Sequence, residues 1–428
     1  MSDIKPKTWI KSLPEYVAGR TIEEIKQKYN LKEVYKLASN ENILGPCPQV
    51  IKYLKENLSD INYYPDADAL KVRSKIAEHY GVDLDNVIMG NGTDQIIEMI
   101  CDCFIGVGDN IVIADPNFLI YEKAALKCGG SVKKIPLLKN SFKQDIFGIA
   151  EAIDNNTKII FLASPHNPTG TIITKDEFEK LLTAVKEKKS SSFKKNGGIL
   201  IVMDEAYYEY VEDEFRINTI QYIKNNENNS ENNINDKANN NEIKNNQINN
   251  INDNKSDFKK DLNKENDCCK NSYNYDIDLI VLRTFSKIFG LAGLRIGYGI
   301  ADKKIINILN KIRLPFNISI IAHKAAVKAI ENYWYVDLIR DEIIKQKEIF
   351  YKTFDFLGLS YIKSYANFIL VNLGSKCDKI IEKLLQHGFI IRPGKNLGIP
   401  GYARITISTP EVNEKFLNIF KKILKEKI

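Results

Sequence analysis

No stretch of about 18 consecutive apolar residues occurs in the chain, so it offers no helix able to span a bilayer. Met1 to Trp9 is polar and carries Pro6, which does not read as a secretory leader. Cysteines number seven, an odd count, and Cys101/Cys103 and Cys268/Cys269 lack the spacing of zinc ligands. A disulfide framework and a structural metal are therefore not expected. Free thiols in a reducing, cytoplasmic setting are. Charge of one sign is also missing in bulk. The net charge is only +6, and lysines alternate with Glu and Asp along stretches such as Asp341 to Lys352. A basic face for nucleic acid would need clustering that is not there.

What is present is ordinary for a soluble globular protein, with 44% hydrophobic and 27% charged residues. The 428 residues suffice for one large domain and a smaller one, or two comparable ones. Between Pro48 and Ile300, helix patterns (Ala69–Tyr80, Asp94–Phe104, Lys175–Lys188) alternate with short apolar runs (Asn110–Ala114, Lys158–Ala163, Gly198–Met203, Leu279–Arg283). That alternation predicts an α/β fold, a mostly parallel sheet sandwiched by helices. From Lys224 to Ser272 about two residues in five are Asn, which predicts an insertion without a core of its own. After Pro315 one long helical stretch, Ser319–Phe356, precedes strands near Phe368–Asn372, Phe389–Ile391 and Arg404–Ile407. Helices are expected at Asp378–His387 and Val412–Lys425. The expected division is an N-terminal arm (1–45) packing with a small C-terminal α+β domain (316–428), and a large domain (46–315) interrupted at 224–272.

Polar motifs follow the apolar runs, where active sites of such folds lie. The strongest is Thr284-Phe285-Ser286-Lys287 through Gly293-Leu294-Arg295. A lysine there can condense with an aldehyde cofactor. The hydroxyls of Thr284 and Ser286, with Arg295, can hold a phosphate. Lone Ser-Lys pairs are usually solvated surface, but the glycines and small residues of this run permit close backbone approach. Asp204-Glu205-Ala206-Tyr207 directly follows the apolar run Gly198–Met203. In isolation it would be a loop or a helix cap. Ser164-Pro165-His166-Asn167-Pro168-Thr169-Gly170 is a turn on its own terms, and His166 reads as a loop residue rather than an acid or base. Gly90-Asn91-Gly92-Thr93-Asp94 opens a helix whose free N–H groups favour an anion.

Together these residues resemble the fold-type I aminotransferases that use pyridoxal 5'-phosphate (PLP). The resemblance implies that Lys287 bonds the cofactor and shuttles the proton. It implies that Asp204 keeps the pyridine nitrogen protonated, while Tyr207 and Asn167 bind the phenolic oxygen. Thr93, Asp94, Thr284, Ser286 and Arg295 would cradle the phosphate, and Phe118 would stack on the ring. The family more often has Asn where Ser164 and His166 stand. Leu13 to Arg20, Lys36 to Pro46, Asn62 to Asp66, Ile391 to Gly394 and Ala403 to Ser408 are similar to the histidinol-phosphate aminotransferase family, with Ile43 in place of a usual proline. That likeness covers nearly the whole chain outside the Asn-rich segment. It implies a homodimer that transfers an amino group between L-histidinol phosphate and 2-oxoglutarate. Arg392 and Arg404 would grip phosphate or carboxylate, with Tyr16, Asn40 and a partner subunit's residue at the position of Tyr64 completing the substrate end. Alternatives are another PLP aminotransferase or a phospho-amino-acid decarboxylase, a non-catalytic regulator of the same fold, or an interaction module in the Asn-rich segment.

Because that segment carries so little apolar surface, replacing 224–272 by a short Gly/Ser linker should leave thermal unfolding and activity close to those of the full chain. Loss of soluble expression, or a folded but inactive product, would contradict this.

Overall fold

The protein is described by a computed structural model that covers residues 4–13, 19–191, 198–223 and 277–426. The expected insertion Lys224–Ser272 and Tyr16 lie outside these described residues.

Seven strands form the larger sheet: β2 (Val87–Gly90), β3 (Asn110–Asp115), β4 (Ser131–Pro136), β5 (Thr157–Ala163), β6 (Leu200–Asp204), β7 (Asp278–Thr284) and β8 (Gly297–Ala301). Their order is β2-β8-β7-β6-β5-β3-β4. All neighbours are parallel except that β8 runs against β7 and β2. The central strands are predominantly apolar and buried on both faces, as a helix-covered parallel sheet requires. Only β4 departs, since Lys133 and Lys134 ion-pair at the sheet edge. That charge masked β4 in the sequence, and the brevity of β2 hid it too.

Register decides where the motifs go. Ala163 pairs with Asp204, Asp204 with Leu282, Thr284 with Gly297, and Gly297 with Gly90. The chain segments following β5, β6, β7 and β2 therefore emerge side by side at one edge of the sheet. Close approach there demands a missing side chain at Gly297, where a Cβ would sit 2.7 Å from the Thr93 nitrogen.

The second sheet has the order β1-β11-β12-β10-β9, built from Tyr35–Leu37 (β1), Tyr361–Ile362 (β9), Phe368–Asn372 (β10), Phe389–Pro393 (β11) and Tyr402–Thr406 (β12). Thus a strand from the N-terminal region pairs in parallel with β11, across more than 350 residues of sequence. The expected helical stretch Ser319–Phe356 is two helices, Ile320–Glu331 and Trp334–Phe356. Asn332 breaks it by donating its side-chain amide to the Lys328 carbonyl at 2.8 Å, competing with the backbone for that acceptor.

Behind the strand ends, β6 and β7 are tied together by a buried ion pair. Arg283 Nε and Nη2 both donate to Glu205 Oε2, at 2.9 and 2.7 Å, and Thr219 donates to Oε1 at 2.6 Å. The guanidinium lies 3.5 Å over the Tyr208 ring. Arg283 precedes Thr284 and Glu205 follows Asp204, so the pair anchors two site-bearing turns. Arg283→Met strands a carboxylate in the interior and should cost about 3–5 kcal/mol in urea unfolding, whereas Arg283→Met with Glu205→Leu should recover much of that. A double-variant loss equal to the sum of the Arg283→Met and Glu205→Leu losses would show that the pair is not coupled.

Candidate active site

The converging loops enclose a cavity of about 150 Å³. Ten residues singled out from the sequence line it: Thr93, Asp94, Phe118, Asn167, Asp204, Tyr207, Thr284, Ser286, Lys287 and Arg295. Tyr121, which belongs to none of the sequence motifs, lines it as well.

One end is anionic. Asp204 is 5% exposed, and it accepts from the Tyr121 hydroxyl at Oδ2 (2.6 Å) and from the Ala206 N–H at Oδ1 (3.0 Å). Burial pushes its carboxyl up to about 6. The Tyr121 and Ala206 hydrogen bonds oppose that rise, and Asp94 and Glu205 add to it. The other end is built for an anion. The helix Gly92–Phe104 starts there with its free N–H groups. Arg295 Nη1 donates to Ser286 Oγ at 3.2 Å, and Nη2 meets Asp94 Oδ2 at 3.2 Å. Gly92 sits at φ +72°, and a Cβ on it would lie 2.6 Å from Arg295 Nη2, so the guanidinium occupies space only glycine leaves.

Between the two ends lies Lys287, whose Nζ is 3.5 Å from the Ser39 carbonyl and 5.4 Å from the Tyr207 ring centroid. Asn40 Nδ2 donates to the Tyr207 hydroxyl oxygen at 2.9 Å, so the phenol keeps its own proton to give. Arg404 Nη1 donates to Asn167 Oδ1 at 2.5 Å, which leaves the Asn167 N–H groups as donors on the cavity side. Asn40 is itself 1% exposed, at φ +56°, and bridged by Thr406. It therefore orients Tyr207 rather than standing open in the cavity.

Arg404 and Arg392 are direct cross-strand partners on β12 and β11, which puts both side chains on one face. Arg404 is 6% exposed, donates Nη2 to the Ala38 carbonyl at 2.9 Å, and has a buried Nε without a partner. Burial lowers it to about 10, Arg392 adds to that, and Tyr207 opposes it, so the group stays cationic at neutral pH. Neither arginine forms an ion pair among the described residues. His166 is wholly buried, bonded through Nδ1 to Thr169 Oγ1 at 2.9 Å and pushed down to about 3 by burial, which makes it a neutral turn residue. Tyr64 does not line the cavity. It is 80% exposed and stacks on Phe316 at 4.6 Å, and Ile61, Tyr63 and Leu314, near these two in sequence, are exposed as well. Tyr121 stands three residues beyond Phe118, which caps the same helix, and the two rings meet edge to face at 5.6 Å.

Against known proteins, the profile of the family described as aminotransferase class I and II matches residues 32–420. A histidinol-phosphate aminotransferase of Moorella thermoacetica is 35% identical over 97% of this chain and 92% of its own length. One from Caldicellulosiruptor saccharolyticus is 34% identical over 97% and 99%. Among solved structures, the histidinol-phosphate aminotransferase of Sinorhizobium meliloti in complex with pyridoxal-5'-phosphate superposes with TM-score 0.77 at 21% identity, covering 99% of this chain and 98% of that one.

The buried carboxyl makes a stability prediction. The folded state holds the Asp204 proton more tightly than the unfolded chain does, so stability falls as pH rises from about 4 through about 6. In the cofactor-free protein, Asp204→Asn should therefore be the more stable form at pH 8, by up to roughly 3 kcal/mol, and the advantage should shrink toward pH 4. Urea titrations at the two pH values measure this, and a pH-independent difference would refute it.

Proposed function

This chain belongs to the class I and II aminotransferases, and from that membership we propose that it transfers an amino group between L-histidinol phosphate and 2-oxoglutarate with PLP. The cavity's donor set fits the cofactor. Asp204 would face the ring nitrogen, Tyr207 and Asn167 the phenolic oxygen, and Phe118 the ring. Ser286, Arg295, Thr93 and the helix start at Gly92 would hold the phosphate, leaving Lys287 for the aldehyde carbon. Bound there, PLP supplies an aldehyde that takes up the amino group and a ring that accepts the electron pair left when the substrate Cα–H bond breaks.

The residues divide the remaining work. Lys287 Nζ removes and returns the Cα proton. Asp204, ionised, keeps a proton on the ring nitrogen. Tyr207 and Asn167 donate to the phenolic oxygen because Asn40 and Arg404 have claimed their acceptor sides. The observation that carries the substrate reading is Arg404. It is a buried guanidinium with an unpartnered Nε, set beside Arg392, and it lacks a carboxylate from the described residues. An interior cation of this kind costs free energy until an anion reaches it. The phosphate of histidinol phosphate and the carboxylates of 2-oxoglutarate meet that requirement by planar, paired hydrogen bonds. Tyr16 is proposed to close the same end.

The exposed Tyr64–Phe316 stack and its apolar neighbours support a homodimer in which the partner's copy of this surface adjoins the site. Among the described residues no helix is long and apolar enough to cross a membrane, and the five described cysteines are unpaired. Both support a cytoplasmic enzyme.

Steady-state kinetics with histidinol phosphate, phenylalanine and aspartate, each against 2-oxoglutarate, test the assignment. Histidinol phosphate should have the highest kcat/KM. Arg404→Lys keeps the charge but not the planar fork. It should lower kcat/KM for histidinol phosphate by about 10- to 200-fold, the equivalent of roughly 1.5–3 kcal/mol for a charged hydrogen bond. Full activity in Arg392 and Arg404 variants would leave only the general aminotransferase reading.

A further inference from the structure

Asp204 can serve a ring nitrogen only if its carboxylate stays ionised and turned toward the cavity, and burial works against the first of these. Glu205, one residue on, and Asp94, from the helix Gly92–Phe104, both oppose ionisation. Glu205 is neutralised by Arg283 of β7, and Asp94 by Arg295. Lys287 and Tyr207 also line the cavity. Among the described residues two donors reach the carboxylate itself, the Ala206 N–H at Oδ1 and the Tyr121 hydroxyl at Oδ2.

Tyr121 is held as firmly as the group it serves. It lies in the helix Leu119–Lys127 and is 1% exposed. Its ring stacks on Phe161 of β5 with centroids 4.7 Å apart and planes within 6°. Its edge meets Phe118 at 5.6 Å. Burial and the adjacent carboxylate push its phenol well above the usual tyrosine range, so it stays protonated and donates. Donors on both oxygens leave the Asp204 carboxylate no freedom to rotate.

We propose that Tyr121 is a positioning residue for the transamination: its hydroxyl fixes the rotation of the Asp204 carboxylate and keeps it ionised for the cofactor's ring nitrogen. The purpose rests on the PLP reading above, while the hydrogen bond does not. Tyr121→Phe removes the hydroxyl and keeps both ring contacts.

The test uses the full-length, cofactor-free protein with carboxyl-labelled aspartate, the Asp204 signal being assigned by its loss in Asp204→Asn. Its NMR titration midpoint should rise by about one unit in Tyr121→Phe. Binding of pyridoxine 5'-phosphate, which lacks the aldehyde and so cannot bond Lys287, gives a second readout. The ratio of variant to wild-type Kd should be about fivefold larger at pH 6 than at pH 8, because the variant loses its carboxylate earlier as pH falls. A packing role alone would change Kd equally at both pH values and leave the midpoint in place, and that result overturns the proposal. Should Tyr121→Phe not fold, wild-type protein grown with fluorotyrosine, a stronger donor, should show a lower midpoint, and an unchanged one overturns the proposal. Failure of wild type to bind the probe would instead bring down the cofactor reading, and the role of Tyr121 with it.

Discussion

A carboxylate kept charged in a dry place is the constraint around which this site is organised. Asp204 ends a central strand, so its backbone cannot yield, and burial raises the cost of its charge. The surroundings respond with two fixed donors, a backbone N–H and the Tyr121 hydroxyl, while the Arg283–Glu205 pair secures the turn from behind. Such preorganisation costs stability in the empty protein. It becomes useful when a group with a basic ring nitrogen sits opposite, since the interaction is then made in a low-dielectric pocket with nothing left to reorganise.

The rest of the cavity follows the same logic with opposite sign. Parallel strands ending in register put a helix N-terminus and Arg295 at the far end and Lys287 between. From the second sheet Arg404, buried behind the cavity lining, donates to the Asn167 oxygen and keeps an unpartnered Nε. Two separate hydrogen bonds thus join the N-terminal segment and the second sheet to the turns of the larger one, Asn40 to Tyr207 and Arg404 to Asn167. A shift of β12 against the larger sheet would misalign donors as well as weaken anion binding.

The parts of this arrangement that were legible in the sequence are those in which chemistry is contiguous. Thr284 to Arg295 and Asp204 to Tyr207 each carry their residues within one turn, and the apolar runs before them declare the strands. The parallel sheet followed from alternation alone. What escaped depends on distance. Tyr121 meets Asp204 across 83 positions and Asn40 meets Tyr207 across 167, and no local pattern predicts such pairs. The break at Asn332 turned on one side-chain hydrogen bond inside an otherwise helical pattern. The charged strand β4 shows edge position overriding apolar patterning.

The account stands or falls on where the cofactor bonds to the chain. Reduction of the PLP-loaded protein with borohydride, followed by digestion and peptide mass mapping, locates that bond directly. One modified site is expected, Lys287, in the peptide that contains Ser286. Modification at another lysine, or none at all in a protein that binds PLP, would contradict it.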